Sequence, residues 1–275
     1  MELGRFGLGL RKEHYSYLAD NPETNVDWFE IVSENYMATE GRPIRILESL
    51  RRDFPIACHG VSMSVGSVEG LNPEYPKSLK TLIDRVEPFL VSDHLAWNYY
   101  KGGYLHELIP IPYNEESLNI VSSNIKRVQD VLGREISIEN ISSYITYESS
   151  DMKEWEFLRE LSFRTDCKLL LDINNVYVNA VNFGFDPMEF LDFIPGEIVS
   201  QIHLAGFTER EGFLFDTHSR PVDEKVWDLF GKYISRCDEK TKILIEWDEE
   251  IPDFLGLEEE LNKARSIVQR AKAAV

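Results

Sequence analysis

Histidine, aspartate and glutamate residues end several short apolar segments of this 275-residue chain. The six residues in these positions are His59 in PIACHG, His94 in LVSDHL, Glu139 in ISIEN, Asp172 in LLLDINN, His203 in QIHLAG and Glu246 in ILIEWD. Imidazoles and carboxylates without thiolates are ligands that iron, manganese and zinc accept in proteins. These ligand-type side chains are more numerous than one metal ion can bind. The pattern therefore predicts a site for two or three metal ions.

A further pair of ligand-type residues, Asp216 and His218, lies in the segment DTHSRPV. Residues two apart point to the same side of an extended chain, so both side chains can reach a shared ion. We expect Glu139 and Asp172 to bridge neighbouring ions, because a carboxylate offers two oxygens. A structural polar network is the alternative interpretation, but unpaired carboxylates at the ends of apolar segments would be costly without a cation.

Short apolar segments alternate with longer amphipathic ones, which is the order of βα units around a parallel sheet. The predicted strands cover residues 6–10, 28–33, 55–59, 89–94, 136–139, 168–173, 199–204 and 242–247. Helical patterns lie between them, for example over residues 115–132 and 257–273. Because barrel strands converge at their C-terminal ends, the sequence predicts an α/β fold, a single (β/α)8 TIM barrel. An open doubly wound sheet is the alternative, but no GxGxxG or Walker sequence supports it.

Four long polar segments follow predicted strands, and we expect them to be loops that wall a substrate groove above the barrel. They cover residues 60–74, 95–112, 174–187 and 205–221. The second segment carries Trp97, Tyr99, Tyr100 and Tyr104, which either grip an extended peptide or planar ligand or pack over the barrel mouth.

Length and composition indicate one domain spanning residues 1–275, because 43% hydrophobic residues suffice for a sizeable core. A net charge of −19 opposes contact with nucleic acid phosphates and anionic membranes, so neither is an expected partner. Cys58, Cys167 and Cys237 show no metal-ligand or disulfide spacing. The sequence shows no apolar segment of secretory or membrane-spanning length, so we expect a cytoplasmic protein.

Eight longer segments surround the ligand-type residues: CHGVSMSVGS, VSDHLAWN, ELIPIPYNEESL, SIENISSYI, LLLDINNVYVNAVNFGFDP, QIHLAGF, DTHSRPV and LIEWD. In this order they resemble the signatures of the multinuclear non-haem iron-dependent oxidase family, which includes the methanobactin-biosynthesis oxidase. The resemblance implies a TIM barrel, similar to xylose isomerase-like barrels, that holds two or three iron ions as Fe²⁺ and Fe³⁺. It implies an enzyme that uses O₂ to oxidise cysteine or another residue of a ribosomally synthesised precursor peptide, often with a partner protein that presents the peptide.

The resemblance also assigns roles to individual residues. The implied iron ligands are His59, His94, Glu139, Asp172, His203, Asp216, His218 and Glu246, with Asn175 of the DINN segment as a weaker ligand. Zinc or manganese can take their place in purified protein. Asp93 stands where the family commonly has a glutamate, which preserves the charge next to His94. A carboxylate that binds no metal could move protons, and Asp216 and Glu34, at the end of the second predicted strand, are the candidate catalytic residues.

Other activities occur on similar barrels. The ligand order is also similar to that of the trinuclear zinc endonucleases, which have a histidine at the position of Asn175, so a zinc-dependent phosphodiesterase or endonuclease-like hydrolase is the alternative. A sugar isomerase of the xylose type is a third interpretation, weakened by the histidine-rich ligand set and by the lack of an obvious lysine beside it. A scaffold protein that only binds metal or peptide would not need every ligand position to be retained.

Overall fold

Eight parallel strands form a closed barrel in the computed structural model of the protein, which describes residues 3–20 and 23–273. The strands among these residues are β1 (Phe6–Gly9), β2 (Trp28–Val32), β3 (Ile56–Gly60), β4 (Leu90–His94), β5 (Trp97–Tyr100), β6 (Gly103–Ile109), β7 (Ser137–Glu139), β8 (Lys168–Asp172), β9 (Val199–Leu204), β10 (Thr208–Arg210), β11 (Phe213–Phe215) and β12 (Lys242–Ile245). The barrel order is β1-β2-β3-β4-β7-β8-β9-β12, and β12 pairs with β1 to close it. The other four strands form two antiparallel hairpins, β5 with β6 and β10 with β11.

Helices separate the barrel strands. Within the described residues they are α1 (Tyr15–Ala19), α2 (Glu34–Met37), α3 (Arg42–Leu50), α4 (Glu74–Val86), α5 (Glu115–Leu132), α6 (Glu154–Thr165), α7 (Ile173–Phe183), α8 (Pro187–Phe193), α9 (Glu224–Tyr233) and α10 (Phe254–Ala273). Helix α5 shows why these segments are helical, because Leu118, Val121, Ile125 and Val128 recur at helical spacing and are all buried. The side chain of Asn114 caps this helix by accepting a hydrogen bond from the first turn. None of the helices in the described part of the chain combines the length and apolar character needed to cross a bilayer.

The predicted (β/α)8 barrel is confirmed, and each predicted barrel strand is present with ends that differ by two residues or fewer. Helix α5 has the predicted bounds, and α10 begins three residues earlier than predicted. The predicted loop over residues 174–187 is wrong, because helix α7 occupies most of it. Asp172 caps that helix by accepting a hydrogen bond from the Asn175 amide at 2.6 Å, and Gly184, with φ of 74°, ends it.

Two of the other predicted loops, over residues 95–112 and 205–221, contain the two hairpins. Each hairpin turns through two residues of positive φ, Lys-Gly at 101–102 and Glu-Gly at 211–212, as type I′ turns require. The rings of Tyr99 and Tyr104 lie 5.0 Å apart across the first hairpin. The hairpins follow β4 and β9, so both rise from the C-terminal face of the barrel.

The inner face of the barrel has an apolar layer below a polar layer. Trp28, Ala57, Leu90 and Leu244 form a buried cluster that is separate from the main core. Two residues further along the same four segments, and therefore on the same face, lie Glu30, His59, Ser92 and Glu246. The apolar layer closes the interior, and the polar layer faces the C-terminal end.

The close contact between Gly7 and Trp28 predicts that a larger side chain at position 7 destabilises the protein. A Cβ at Gly7 would lie 2.4 Å from carbon atoms of the fully buried Trp28 ring, which has no room to move away. We expect Gly7→Ala to lower the free energy of unfolding by about 1–3 kcal/mol, the usual cost of overpacking. In helix α9, Gly231→Ala places a Cβ 3.4 Å from Ile267 and should be neutral or stabilising by up to about 1 kcal/mol. Urea unfolding of both variants measures this, and equal stabilities would contradict the packing argument.

Candidate metal centre

The residues implied as metal ligands converge at the C-terminal end of the barrel. A cavity of about 560 Å³ opens there, and its lining includes His59, His94, Glu139, Asn175, Asp216, His218 and Glu246. Asp172 and His203 are fully buried beside these residues. Strand ends and the segment after the second hairpin therefore bring together side chains that are far apart in the sequence.

Glu139, at the end of β7, lies among three imidazole rings. Its Oε2 atom is 3.1 Å from His59 Nε2 and 3.2 Å from His94 Nε2, and its Oε1 atom is 3.5 Å from His203 Nδ1. Burial alone would raise the pKa of the Glu139 carboxyl, but the histidines hold it well below its usual value. The same contact acts on His59, where burial lowers the pKa and Glu139 raises it to about 9. The carboxylate is therefore a buried anion shared by three rings.

The orientation of His94 leaves a lone pair facing this anion. His94 Nδ1 lies 3.0 Å from the Gly60 carbonyl oxygen, which can only accept a hydrogen bond, so Nδ1 carries the hydrogen. Burial lowers the pKa of His94, which favours the neutral ring with an unprotonated Nε2 atom. That Nε2 atom and the Glu139 oxygen are both electron-rich, and a cation that binds both removes their repulsion. Holding the outer nitrogen so that the inner one can ligate is typical of metal-binding histidines.

His203 is enclosed by carboxylates on both sides of its ring. Its Nδ1 atom lies 2.8 Å from Glu246 Oε2, and its Nε2 atom lies 3.1 Å from Glu30 Oε1. Gln201 fixes Glu30 by donating a hydrogen bond of 2.6 Å to its second oxygen. Burial would lower the pKa of His203, but Glu30, Glu246 and Glu139 raise it well above its usual value. Glu30 was missed by the sequence analysis because it lies inside β2 and not at a strand end.

His218 is held in a strained backbone conformation beside Asp216. Its φ is 43°, in the left-handed region that residues other than glycine seldom adopt. The Asp248 amide donates a hydrogen bond of 2.8 Å to the His218 carbonyl, and Asp248 Oδ2 lies 3.1 Å from His218 Nδ1. These contacts direct His218 Nε2 to Asp216 Oδ1 at 2.6 Å and to Asp172 Oδ2 at 3.9 Å. Asp248 was also missed, although its spacing of two from Glu246 could have indicated it.

Arg11 completes this arrangement from the segment after β1. It donates a hydrogen bond of 3.0 Å to the Trp247 carbonyl, and its guanidinium group pairs with Asp248. Burial would raise the pKa of Asp248, but His218 and Arg11 hold it well below its usual value. A Cβ at Gly9 would lie 2.9 Å from the guanidinium, so the glycine makes room for it. Arg11 thus keeps Asp248 ionised as the acceptor for His218.

The buried atoms around the cavity that lack a hydrogen bond of regular geometry with another described residue include Glu139 Oε2, Asp172 Oδ2, Asn175 Oδ1, His203 Nδ1 and His218 Nε2. Some of them lie at ion-pair distance from a group of opposite charge, as described above. Each such atom would be costly to bury in a dry site. Donor atoms lie within 4.8 Å of one another in three groups: His59, His94 and Glu139; Glu139, Asp172, His203 and Glu246; His218, Glu246 and Asp248. These observations fit metal ions held between the groups. The carboxylates shared between groups are Glu139 and Glu246, whereas the sequence analysis expected Glu139 and Asp172.

Glu34, the other candidate catalytic residue, lies at the start of α2 and holds the loop after β3. Its Oε1 atom accepts hydrogen bonds from the Val61 amide at 2.9 Å and from the Tyr75 hydroxyl at 2.6 Å. The same hydroxyl lies 3.2 Å from Asp93 Oδ2. Burial, and then the charge of Glu34, raise the pKa of Asp93 to about 7. Proton transfer by Glu34 stays a prediction.

The protein is a closed (β/α)8 barrel whose C-terminal face carries three overlapping groups of imidazoles and carboxylates that could hold metal ions. Residues 5–269 match the family described as "RiPP precursor modification enzyme MbnB/TglH/ChrH", where RiPP denotes a ribosomally synthesised and post-translationally modified peptide. The chain belongs to this family, which confirms the resemblance seen in the sequence motifs. It is therefore a member of a family of enzymes that modify precursor peptides.

Relatives and solved structures that are similar to this chain cover nearly all of its length. A UPF0276 protein of Anaeromyxobacter sp. is 46% identical over 270 residues, which cover 98% of this chain and 94% of that protein. A xylose isomerase domain containing protein from Salmonella typhimurium is similar in structure with a TM-score of 0.66 and 14% identity, over 98% of both chains. Endonuclease IV from Thermus thermophilus is similar with a TM-score of 0.58 and 15% identity, over 98% of this chain and 100% of that one. At these identities the structures show the shared barrel fold alone.

The contacts of Asp248 predict its effect on metal binding. Asp248→Asn removes the anionic partner of His218 Nδ1 and weakens the pairing with Arg11, so we expect metal affinity at the His218 group to fall about 10- to 100-fold. Glu249→Gln is the matched control, because that side chain is exposed and adjacent in sequence. Competition titrations with Co²⁺ and a chelator, followed by visible absorption, measure the affinity. Indistinguishable titrations of the two variants would show that Asp248 does not support the site.

Proposed function

We propose that the protein is an iron-dependent oxidase that uses O₂ to modify a cysteine of a ribosomally synthesised precursor peptide. Membership of the family supports the substrate class. The sharing of Glu139 and of Glu246 between neighbouring ligand groups supports the metal chemistry, because shared carboxylates suit a multinuclear centre. Several ions beside one cavity could act on one bound peptide residue together.

Two or three iron ions, as Fe²⁺ and Fe³⁺, fit the described groups. The residues that would hold them are His59, His94 and Glu139; Glu139, Asp172, His203 and Glu246; and His218 either with Glu246 and Asp248 or, through its Nε2 atom, with Asp216, with the Asn175 amide oxygen as an additional ligand. Bound iron would supply Lewis acidity towards a thiol and one-electron chemistry with O₂. Zinc or manganese in purified protein would use the same ligands.

We assign proton transfer to Asp216, which lines the cavity. Its Oδ2 atom accepts a hydrogen bond of 2.9 Å from the Ser142 hydroxyl, and its Oδ1 atom accepts one of 2.7 Å from the Asn174 amide. These bonds fix the carboxylate beside His218 while it faces the space where a substrate would lie. A carboxylate so placed can take the proton of a substrate thiol when it binds no metal. Glu34 is the second candidate and would act through Tyr75, whose hydroxyl it contacts.

The rim of the cavity supports a peptide as the substrate. Leu105 and His106 of the first hairpin and Tyr144 of the loop after β7 line the cavity, and Leu105 and Tyr144 are each 45% exposed. Exposed apolar side chains around a concave polar site are typical of surfaces that bind other chains. We extend the proposal to a separate partner protein that presents the peptide and contacts this rim.

The alternative is a zinc-dependent phosphodiesterase, which the shared fold with endonuclease IV leaves open. Two features of this chain disfavour it. Asn175 offers an amide where the resemblance to those enzymes expects an imidazole, and an amide oxygen binds zinc poorly. The net charge of −19 opposes DNA.

The iron content of purified protein tests the metal assignment. Protein from iron-replete cells should contain two or more irons per chain, and Glu139→Gln should retain less than half of them, because it removes an anion shared by two ligand groups. Glu135→Gln, on the exposed segment before β7, is the control and should retain them all. Elemental analysis with Mössbauer spectroscopy gives the content and the coupling of the ions. Stoichiometric zinc that persists after anaerobic reconstitution with iron would favour the hydrolase instead.

Oxygen dependence tests the reaction. A cysteine-containing precursor peptide encoded beside the gene, incubated with the iron-loaded protein, should change mass in air and stay unchanged under anaerobic conditions. The same peptide with the cysteine replaced by serine should stay unchanged in both, because it offers no thiol to the metal. Mass spectrometry measures the change, and modification without O₂ would refute the oxidase assignment.

A further inference from the structure

A second cavity of about 540 Å³ lies beside the metal cavity and shares a wall with it. The wall is the segment after β7, whose residues alternate between the two spaces. Ser142 and Tyr144 line the metal cavity, whereas Ser143, Ile145 and Tyr147 line the second cavity. One extended segment of chain therefore separates the two cavities.

The walls of the second cavity are fixed by hydrogen bonds. The Asn179 side chain on α7 accepts from the Ser143 amide at 2.8 Å and donates to the Ile141 carbonyl at 2.9 Å. The Tyr147 hydroxyl donates to the Pro110 carbonyl at 3.0 Å. The cavity is thus formed before any ligand enters, which lowers the entropy cost of binding.

A carboxyl group with one oxygen that lacks a hydrogen bond lies in this cavity. Glu154, in the first turn of α6, lines it, and its buried Oε1 atom makes no hydrogen bond with the described residues. Burial raises the pKa of Glu154 to about 8, although the Tyr113 hydroxyl and the Asn179 amide beside it act in the opposite direction. The metal ligands do not use this group, so neither the barrel fold nor the metal centre accounts for it.

Aromatic rings surround the carboxyl group. Tyr113, Trp155 and Phe185 line the cavity, and the rings of Trp155 and Phe185 lie 5.4 Å apart. Aromatic faces together with a carboxylate are the groups that bind an ammonium or guanidinium ion, and a cation bound beside Glu154 would itself favour the ionised form of that carboxyl. The Lys153 ammonium lies 5.7 Å from the centre of the Trp155 ring, and Lys153 also lines the cavity. The exposed acids Asp151 and Glu156 at the rim also favour a cation.

We propose that this second cavity binds the basic side chain of a lysine or arginine in the precursor peptide, with its cation against Glu154 and the aromatic rings. The assignment of the cation to a peptide rests on the proposed function. The two cavities lie on either side of one segment of chain, so an extended peptide that crosses this segment can enter both. The basic residue therefore lies a few residues from the residue that is modified. A peptide would then be held at two points, which sets which residue reaches the metal centre.

Two small probes test the chemistry of the cavity. N-acetyl-lysine methylamide carries the cation, and N-acetyl-norleucine methylamide has the same apolar stem without it. NMR titration should give the lysine probe a Kd about tenfold lower than the norleucine probe, because only the lysine probe can make a charge-assisted hydrogen bond. Equal Kd values for the two probes with the unaltered protein would overturn the proposal.

Two variants test whether Glu154 causes the preference for the lysine probe over the norleucine probe. Glu154→Gln keeps the shape of the side chain and should reduce the preference for lysine to less than twofold, while Glu135→Gln, at an exposed acid that does not line this cavity, should leave it unchanged. Melting temperatures confirm that both variants are folded. Glu154→Gln should leave the iron content unchanged, and Glu139→Gln should leave probe binding unchanged. The iron content therefore tests the iron assignment, and probe binding separately tests the cation site.

A second comparison separates a peptide from a free amine as the source of the cation. Two synthetic peptides contain a cysteine followed, four residues later, by either lysine or norleucine. The lysine peptide should bind the iron-loaded protein about tenfold more tightly, and this advantage should disappear in Glu154→Gln. Equal binding of the two peptides, with the probe preference intact, would overturn the assignment to the precursor peptide.

Discussion

The carboxylate of Glu139, buried among the rings of His59, His94 and His203, is the interaction on which the rest of the centre depends. An anion taken out of water costs several kcal/mol unless cations and hydrogen-bond donors compensate it. Here the compensation comes from imidazoles whose outer nitrogens are held by Ser92, Gly60 and Glu30, so each ring turns a nitrogen towards the centre. The polar layer of the barrel is thus arranged for positive charge at its middle.

The apolar layer beneath the polar layer leaves the ligand groups accessible from one end of the barrel. Trp28, Ala57, Leu90 and Leu244 fill the interior under the ligands, so a ligand or substrate reaches the centre from the C-terminal face. The first hairpin, the segment after β7 and the Asp216–His218 segment are parts of the chain that line this entrance. Family membership, the shared carboxylates and the apolar rim are all consistent with a peptide that enters from this side.

Much of this could be predicted from the sequence because the barrel strands are short, nearly continuous apolar runs that end in ligand-type residues. Predictions are wrong where a local pattern is misleading. Asparagines fill the first turns of helix α7 and favour a loop, but in the fold they are buried in contacts with other segments. Glu30 interrupts an apolar strand, and its role depends on Gln201 and His203, which are distant in sequence. Similarly, Arg11 meets Asp248 only once the barrel closes.

The two hairpins at the barrel mouth have an evolutionary consequence. Each closes its own backbone hydrogen bonds, so a change in its length need not disturb the barrel strands. The second hairpin is constrained, because Asp216 follows β11 directly and a shift of one residue would turn that side chain away from the centre. The first hairpin has no such constraint on its turn. New peptide preferences can therefore arise most readily by lengthening or shortening the turn at residues 101–102, while the metal ligands stay as they are.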